Sequence, residues 1–122
     1  MNTIDRSSPG VYLAYPTTEA LKATYYGHRT FVNLAHTKVG IASVSLGSRE
    51  AEYMRYFNRE IVFQPLLQLH SAELRQFERQ LLLQMNRRYT RSGRAREWFA
   101  TSDRASIIQL VEELAAAARD GT

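Results

Sequence analysis

The chain has 122 residues, of which 44% are hydrophobic and 23% are charged, a composition typical of one soluble domain that buries its own core. It contains no cysteine, which excludes disulfides and thiolate metal sites. No apolar run approaches the roughly 20 residues that a membrane span needs. Residues 1–8 predict a flexible leader without the apolar segment of a signal peptide. We therefore expect a cytoplasmic protein with no membrane partner.

The first half of the chain predicts a small sheet followed by a helix. Its predicted elements are a strand at 10–15, a short helix at 17–24, extended segments at 30–35 and 38–43, and a helix from Arg49 to about Arg59. The first strand is bounded by Pro9 and Pro16, which cannot donate to a central ladder. Ser48 is a suitable N-cap for the second predicted helix because its hydroxyl can accept from a free backbone N–H.

The second half predicts one more strand and two helices. Its predicted elements are a strand at 61–69, a helix capped by Ser71, and a last helix capped by Ser102 or Asp103 with Ile107, Leu110, Val111 and Leu114 as its buried stripe. Pro65 places its strand at a sheet edge or a bulge. The pattern predicts an α/β (α+β) fold, with a small three-stranded mixed or antiparallel sheet flanked by helices. One domain from 9 to 122 is expected, with an insertion at about 16–36.

Glu78 is out of place in the helix that follows Ser71. The apolar face of this helix is formed by Leu74, Phe77, Leu81, Leu82 and Met85, and Glu78 has the spacing of that same face. A buried carboxylate must be paired, neutral or bound to a metal, because an unpaired buried charge costs several kcal/mol. The sequence therefore predicts a site at Glu78, unless it only pairs with Arg75 or Arg79.

The net charge is +4, and the basic residues are almost all Arg. A cluster without any acid follows the Glu78 helix and consists of Arg87, Arg88, Arg91, Arg94 and Arg96. Arg makes bidentate contacts with phosphate, so the cluster suggests a phosphate-rich partner. A solvated turn between two elements explains the same cluster equally well.

Several short motifs occur in a recognisable order. They are Gly10-Val11-Tyr12, Lys38-Val39-Gly40, Arg49 nine residues after Gly40, Glu78 on the next helix, and Glu97-Trp98-Phe99. This order resembles the GIY-YIG nuclease superfamily over about residues 9–115. It is most similar to the branch in which the second signature reads Lys-aliphatic-Gly and the domain closes with Glu-Trp-Phe, as in many phage-encoded proteins.

The resemblance implies roles for three residues around an attacking water. Tyr12 would be the general base or would orient the water. A free phenol has a pKa of about 10, so a nearby metal, Lys or Arg must stabilise the phenolate. Lys38, at the Tyr of many members, would lie near the base and the water. Tyr53, one helical turn after Arg49, would line the site.

The resemblance also implies how the phosphate is held. Members hydrolyse a DNA phosphodiester with one divalent metal. Arg49 would bind the scissile phosphate and offset the charge that develops on it. Glu78 would hold Mg²⁺ or Mn²⁺, which prefer hard oxygen ligands, and the ion would act as a Lewis acid.

The chain departs from the family pattern in three places. The stretch between Tyr12 and Lys38 is longer than in most members, and the late Asn of many members is absent. Tyr25-Tyr26-Gly27 also resembles the second signature, but no Arg stands nine residues after Gly27. Each candidate has an ordinary explanation as well. Tyr12 would pack in a sheet, Lys38 would protect an edge strand, and Arg49 would pair with a neighbouring acid.

The resulting expectation is a DNA endonuclease encoded by a phage or mobile element that attacks competing DNA. One site per chain cuts one strand, so a double-strand break needs a homodimer, sequential events or rebinding. The alternative is a nucleic-acid-binding or regulatory module that keeps the fold without turnover. A third interpretation is a toxin-like nuclease held by a protein partner.

Overall fold

The computed structural model describes residues 4–17, 20–25, 28–33, 35–57, 59–90 and 98–120. The elements are β1 (Gly10–Pro16), β2 (Ala20–Tyr25), β3 (His28–Asn33), β4 (Thr37–Ala42), α1 (Leu46–Tyr56), β5 (Ile61–Gln68), α2 (Ser71–Arg88), β6 (Trp98–Phe99) and α3 (Arg104–Asp120). The predicted α+β class is confirmed. Within the described ranges, no helix is both long enough and apolar enough to cross a bilayer.

The main sheet is antiparallel and has four strands in the order β5-β1-β4-β6. The expectation of three strands was wrong because Trp98 and Phe99 pair with Lys38 and Thr37. Two residues are too few to produce a strand periodicity, so only the tertiary structure reveals this strand. Pro65 lies on the outer strand β5, where the register with β1 shifts. The prediction for Pro65 is therefore confirmed.

The insertion at about 16–36 contains a separate two-stranded hairpin, in which β2 pairs with β3 from Ala20↔Asn33 to Tyr25↔His28. The predicted helix at 17–24 was therefore wrong. Ala, Leu and Lys favour helix locally, but pairing with a neighbouring strand outweighs a propensity difference of less than about 1 kcal/mol per residue.

Two hydrophobic cores lie on opposite faces of the sheet. One contains Val11, Leu13, Val39 and Phe99 with residues of α2 and α3. The other contains Tyr12, Ala14, Ala42 and Trp98 with residues of α1. Alternate residues of β1 enter opposite cores because successive side chains of a strand point to opposite faces. The domain therefore has three layers, with α1 on one side of the sheet and α2 and α3 on the other.

Helix α1 begins earlier than predicted, and Ser45 rather than Ser48 is its cap. The Ser45 hydroxyl accepts from the backbone N–H of Ser48 at 3.0 Å. The preceding N–H groups of Leu46 and Gly47 donate to backbone carbonyls of residues 8 and 6, at 2.9 and 2.7 Å. Residues 5–8, expected to be part of a flexible leader, are thus hydrogen-bonded to the start of α1.

The long helices follow the predicted stripes. In α2 the buried residues are Leu74, Phe77, Leu81 and Met85. In α3 Ile107, Leu110 and Val111 are buried, and Leu114 packs against the same core. Asp103, one of the two predicted caps, accepts from the backbone N–H of Ser106 at 3.2 Å.

We expect Leu81→Ala to lower the free energy of unfolding by about 2–5 kcal/mol, because Leu81 is fully buried and a cavity would remain. Urea denaturation measures this loss. Leu83→Ala is the matched control on the same helix. Leu83 is 46% exposed, so its change should stay within about 0.5 kcal/mol. Equal losses for the two variants would contradict the assigned helix face.

Candidate functional site

The two signature tripeptides lie side by side in neighbouring strands. In the β1–β4 pair, Tyr12 stands directly opposite Gly40, and Ala14 opposite Lys38. A Cβ atom added at Gly40 would lie 3.1 Å from the Tyr12 hydroxyl and 3.5 Å from Cε of Lys38. Gly40 therefore leaves the space in which the Tyr12 phenol lies, and the Lys38 side chain borders the same space.

Tyr53 on α1 meets Tyr12 from above the sheet. The two hydroxyl oxygens are 2.8 Å apart and form a hydrogen bond within the core. Their rings meet edge to face with centroids 5.5 Å apart, and Phe63 stacks on Tyr12 at 4.6 Å. Tyr12 is 2% exposed and Tyr53 is fully buried. The pairing joins β1 to α1 and orients the Tyr12 phenol.

Lys38 is a rare buried cation. It is only 6% exposed, whereas Lys is almost never fully buried unless it is paired. Taking an ammonium out of water disfavours its charged form, so a compensating group is required. Its strand partner on the other side is Trp98 of β6, which turns β4 into an inner strand there. The interpretation of Lys38 as protection of an exposed edge was therefore wrong.

Arg49 lies in α1, one turn before Tyr53, at the edge of this cluster. Its guanidinium contacts the carboxylate of Glu52 at 3.4 Å, and the two side chains are 23% and 26% exposed. A partly exposed pair of this kind contributes about 0–1 kcal/mol. Glu50, the other neighbouring acid, instead pairs with Arg6.

Glu78 lies on the flank of the buried face of α2 and is half-buried. The predicted ion pair with Arg75 or Arg79 is not formed in the part of the chain that the structure describes. The buried residues of α2 pack on the sheet face opposite to Tyr12. The structure thus gathers Tyr12, Lys38 and Tyr53, and it assigns Glu78 to the other helical layer.

The donor chemistry of Glu78 is compatible with a magnesium or manganese ion. Magnesium commonly uses one or two carboxylates and fills its remaining positions with water and substrate phosphate oxygens. No group of three or more His, Asp or Glu residues that could hold a metal occurs among the residues described. Glu78 would therefore be a single protein ligand of the ion. Its helix, α2, packs on the sheet face opposite to Tyr12.

The predicted phosphate-binding cluster is described only at its beginning. Arg87 and Arg88 are exposed in the last turn of α2. Arg91, Arg94 and Arg96 lie outside the described residues.

Two contacts outside the Tyr12 cluster have no local signal in the sequence. Arg104 lies over the ring of Tyr15 at 3.6 Å, and its Nε atom is buried without a hydrogen-bond partner within the described residues. The Thr37 hydroxyl donates to the carbonyl of Thr101 at 2.7 Å. Partners this distant in sequence become visible only when the chain is folded. Burial also lowers the pKa of His36 below its ordinary value.

Comparison with known proteins found no matching family profile, no matching curated protein and no matching solved structure.

The hydroxyl pair can be measured by a double-mutant cycle. We expect Tyr12→Phe and Tyr53→Phe each to lower the free energy of unfolding, because each removes one end of a buried hydrogen bond. The double variant should lose less than the sum, with a coupling energy of about 0.5–1.5 kcal/mol. Chemical denaturation of the four proteins supplies the numbers. Strictly additive losses would show that the two hydroxyls do not interact.

Proposed function

We propose that the chain is a divalent-metal-dependent endonuclease that hydrolyses DNA phosphodiester bonds on a GIY-YIG-like fold. One observation carries the proposal. Tyr12 of the first signature pairs with Gly40 of the second, the Tyr53 hydroxyl hydrogen-bonds to the Tyr12 phenol, and the stem of Lys38 borders the space beside Gly40. Ordinary core packing explains a buried tyrosine, but it does not by itself explain a buried lysine and a second hydroxyl on the same side of the sheet.

In this reaction Tyr12 would take a proton from the attacking water or hold that water in line with phosphorus. A positive Lys38 nearby would favour the phenolate form by Coulomb attraction. The Tyr53 hydroxyl, 2.8 Å from the Tyr12 hydroxyl, would donate to the phenolate and keep it oriented. The water oxygen would bond to phosphorus while the bond to the leaving oxygen breaks, and the leaving oxygen would take up a proton.

Arg49 would bind the scissile phosphate, because a guanidinium can make a bidentate contact with phosphate oxygens. Negative charge accumulates on the phosphate oxygens during attack, and a guanidinium beside them lowers the barrier. Glu78 is the residue that would hold a magnesium or manganese ion, which supplies Lewis-acid chemistry when bound. Its helix packs on the sheet face opposite to Tyr12, so no step at the Tyr12 phenol is assigned to this ion.

A second candidate is a nucleic-acid-binding or regulatory module with the same fold and no turnover. Burial of the two phenols favours it, since Tyr12 is 2% exposed and Tyr53 is fully buried. A phosphodiester would contact the Tyr12 oxygen only after the surrounding side chains have moved. The nuclease proposal includes a cytoplasmic role in a phage or mobile element, in which the protein cuts competing DNA.

The deciding experiment is incubation of supercoiled plasmid with the pure protein in Mg²⁺, Mn²⁺ or EDTA. We expect nicking or linearisation that requires the metal and that Glu78→Ala abolishes while DNA binding persists. Glu73→Ala, at an exposed position in the first turn of α2, is the control and should cut at the wild-type rate. Cleavage by Glu78→Ala at the wild-type rate would refute the metal assignment. Binding without cleavage in any metal would favour the second candidate.

Arg49 is tested separately on the same plasmid. We expect Arg49→Ala to slow turnover by about 10²-fold or more, because the charge that develops on the phosphate loses its partner. Arg55→Ala is the control, since Arg55 is an exposed arginine on the same helix. An unchanged turnover number for Arg49→Ala would remove Arg49 from the reaction.

A further inference from the structure

The solvent side of α2 carries two parallel rows of residues. The first row, at spacings of four, is Arg75, Arg79, Leu83 and Arg87, and the second is Gln76, Gln80, Gln84 and Arg88. All eight are exposed except Gln84, which is half-buried. Residues four apart lie above one another on a helix, so each row is a continuous ridge. We call these two rows the α2 outer face.

The α2 outer face is positively charged, although the exposed Glu73 and the half-buried Glu78 lie on the same helix. The exposed residues between 74 and 90 include four arginines and no Asp or Glu. None of the four arginines forms an ion pair with any residue that the structure describes. Solvated helix surfaces commonly alternate acids and bases four residues apart, which stabilises the helix. The α2 outer face lacks that alternation, so its charges are available to an anionic partner.

The dimensions and side chains of this face suit duplex DNA. Arg75 and Arg87 are twelve residues apart, which is about 18 Å along a helix. A single helix of this diameter fits the major groove of B-DNA. Arginine binds phosphate oxygens and guanine, glutamine can pair with adenine, and an apolar side chain such as Leu83 can contact the thymine methyl group. Leu83 is 46% exposed in the middle of the arginine row, so it is accessible to such a contact.

We propose that the α2 outer face is a docking surface for duplex DNA. It lies on the layer opposite to Tyr12, because the inner side of α2 packs on the other face of the sheet. The surface therefore lies on the opposite layer from Tyr12, Lys38 and Tyr53, although Glu78 is on the same helix. Arg75 and Arg79 have no role in the proposed chemistry, so affinity for DNA should depend on them and turnover should not. The choice of DNA as the partner rests on the proposed function, whereas binding itself does not require cleavage.

The test is the affinity of the full chain for a short labelled DNA duplex, measured by fluorescence anisotropy over a range of salt concentrations. We expect the Arg75→Ala/Arg79→Ala double variant to bind on the order of 10-fold more weakly. Its plot of log affinity against log salt should flatten by about 2, since roughly one counterion is released per phosphate contact. Its turnover number on saturating plasmid should equal that of the wild type.

Two controls separate this role from general charge and from misfolding. Arg75→Lys/Arg79→Lys keeps both charges and should retain most of the salt dependence. Arg55→Ala removes one exposed arginine from the opposite layer and should change the slope less than Arg79→Ala does. Arg75→Gln/Arg79→Gln removes the same two charges and replaces the Ala variant as the test if the Ala variant does not fold.

Four results would overturn the inference. The first is that the Arg75→Ala/Arg79→Ala variant binds DNA with the affinity and salt slope of the wild type, and the second is that the protein prefers duplex RNA of the same length. The third is that the protein binds anionic phosphatidylserine vesicles equally well and through the same arginines. The fourth is that the main effect of the double variant is a loss of self-association. DNA binding that depends on Arg75 and Arg79 without any cleavage would refute the proposed function alone. Cleavage with binding that ignores Arg75 and Arg79 would refute the docking surface alone.

Discussion

The antiparallel register of β1 with β4 is the constraint on which the rest of the structure depends. It sets Tyr12 opposite Gly40. A slip by one residue would move every side chain of β1 to the other face and would exchange Tyr12 with Leu13. The phenol would then enter the aliphatic core under α2 and α3, where no Tyr53 hydroxyl meets it. The glycine permits this register, because a Cβ there would lie only 3.1 Å from the Tyr12 hydroxyl.

The register also places different kinds of residue under the two helical layers. The α1 layer covers polar groups that a core normally avoids, namely the Tyr12–Tyr53 hydroxyl pair and the nearly buried Lys38. The α2 and α3 layer covers an apolar core, and α2 exposes arginines whereas α3 exposes Glu112 and Glu113. Polar residues buried in a core are commonly functional. Burying them costs free energy, and an apolar residue at the same position would avoid that cost. This contrast is the physical reason to look for chemistry at α1 and for binding at α2.

Stability and function are connected through α1. Its first N–H groups donate to carbonyls of residues 6 and 8 and to the Ser45 hydroxyl, so its start is anchored by the preceding chain. The same helix carries Arg49 and Tyr53, which means that the anchoring also sets their positions. A phosphate could not replace the acceptors at these N–H groups without displacing residues 5–8. The start of α1 is therefore already occupied by acceptors from the protein itself.

By itself, the sequence determined the elements whose information is local. The stripes of α2 and α3, strands β1, β4 and β5 and the edge position of Pro65 all follow from periodicity or proline chemistry. It also placed Tyr12 and Gly40 in two strands and Arg49 on a helix. Only the tertiary structure decided what depends on distant partners: strand β6, strand β2 in place of a predicted helix, and the Tyr12–Tyr53 contact. The layer of Glu78 belongs to this second group. An apolar stripe predicts that one face of a helix is buried, but it does not predict which side of the sheet the helix packs against.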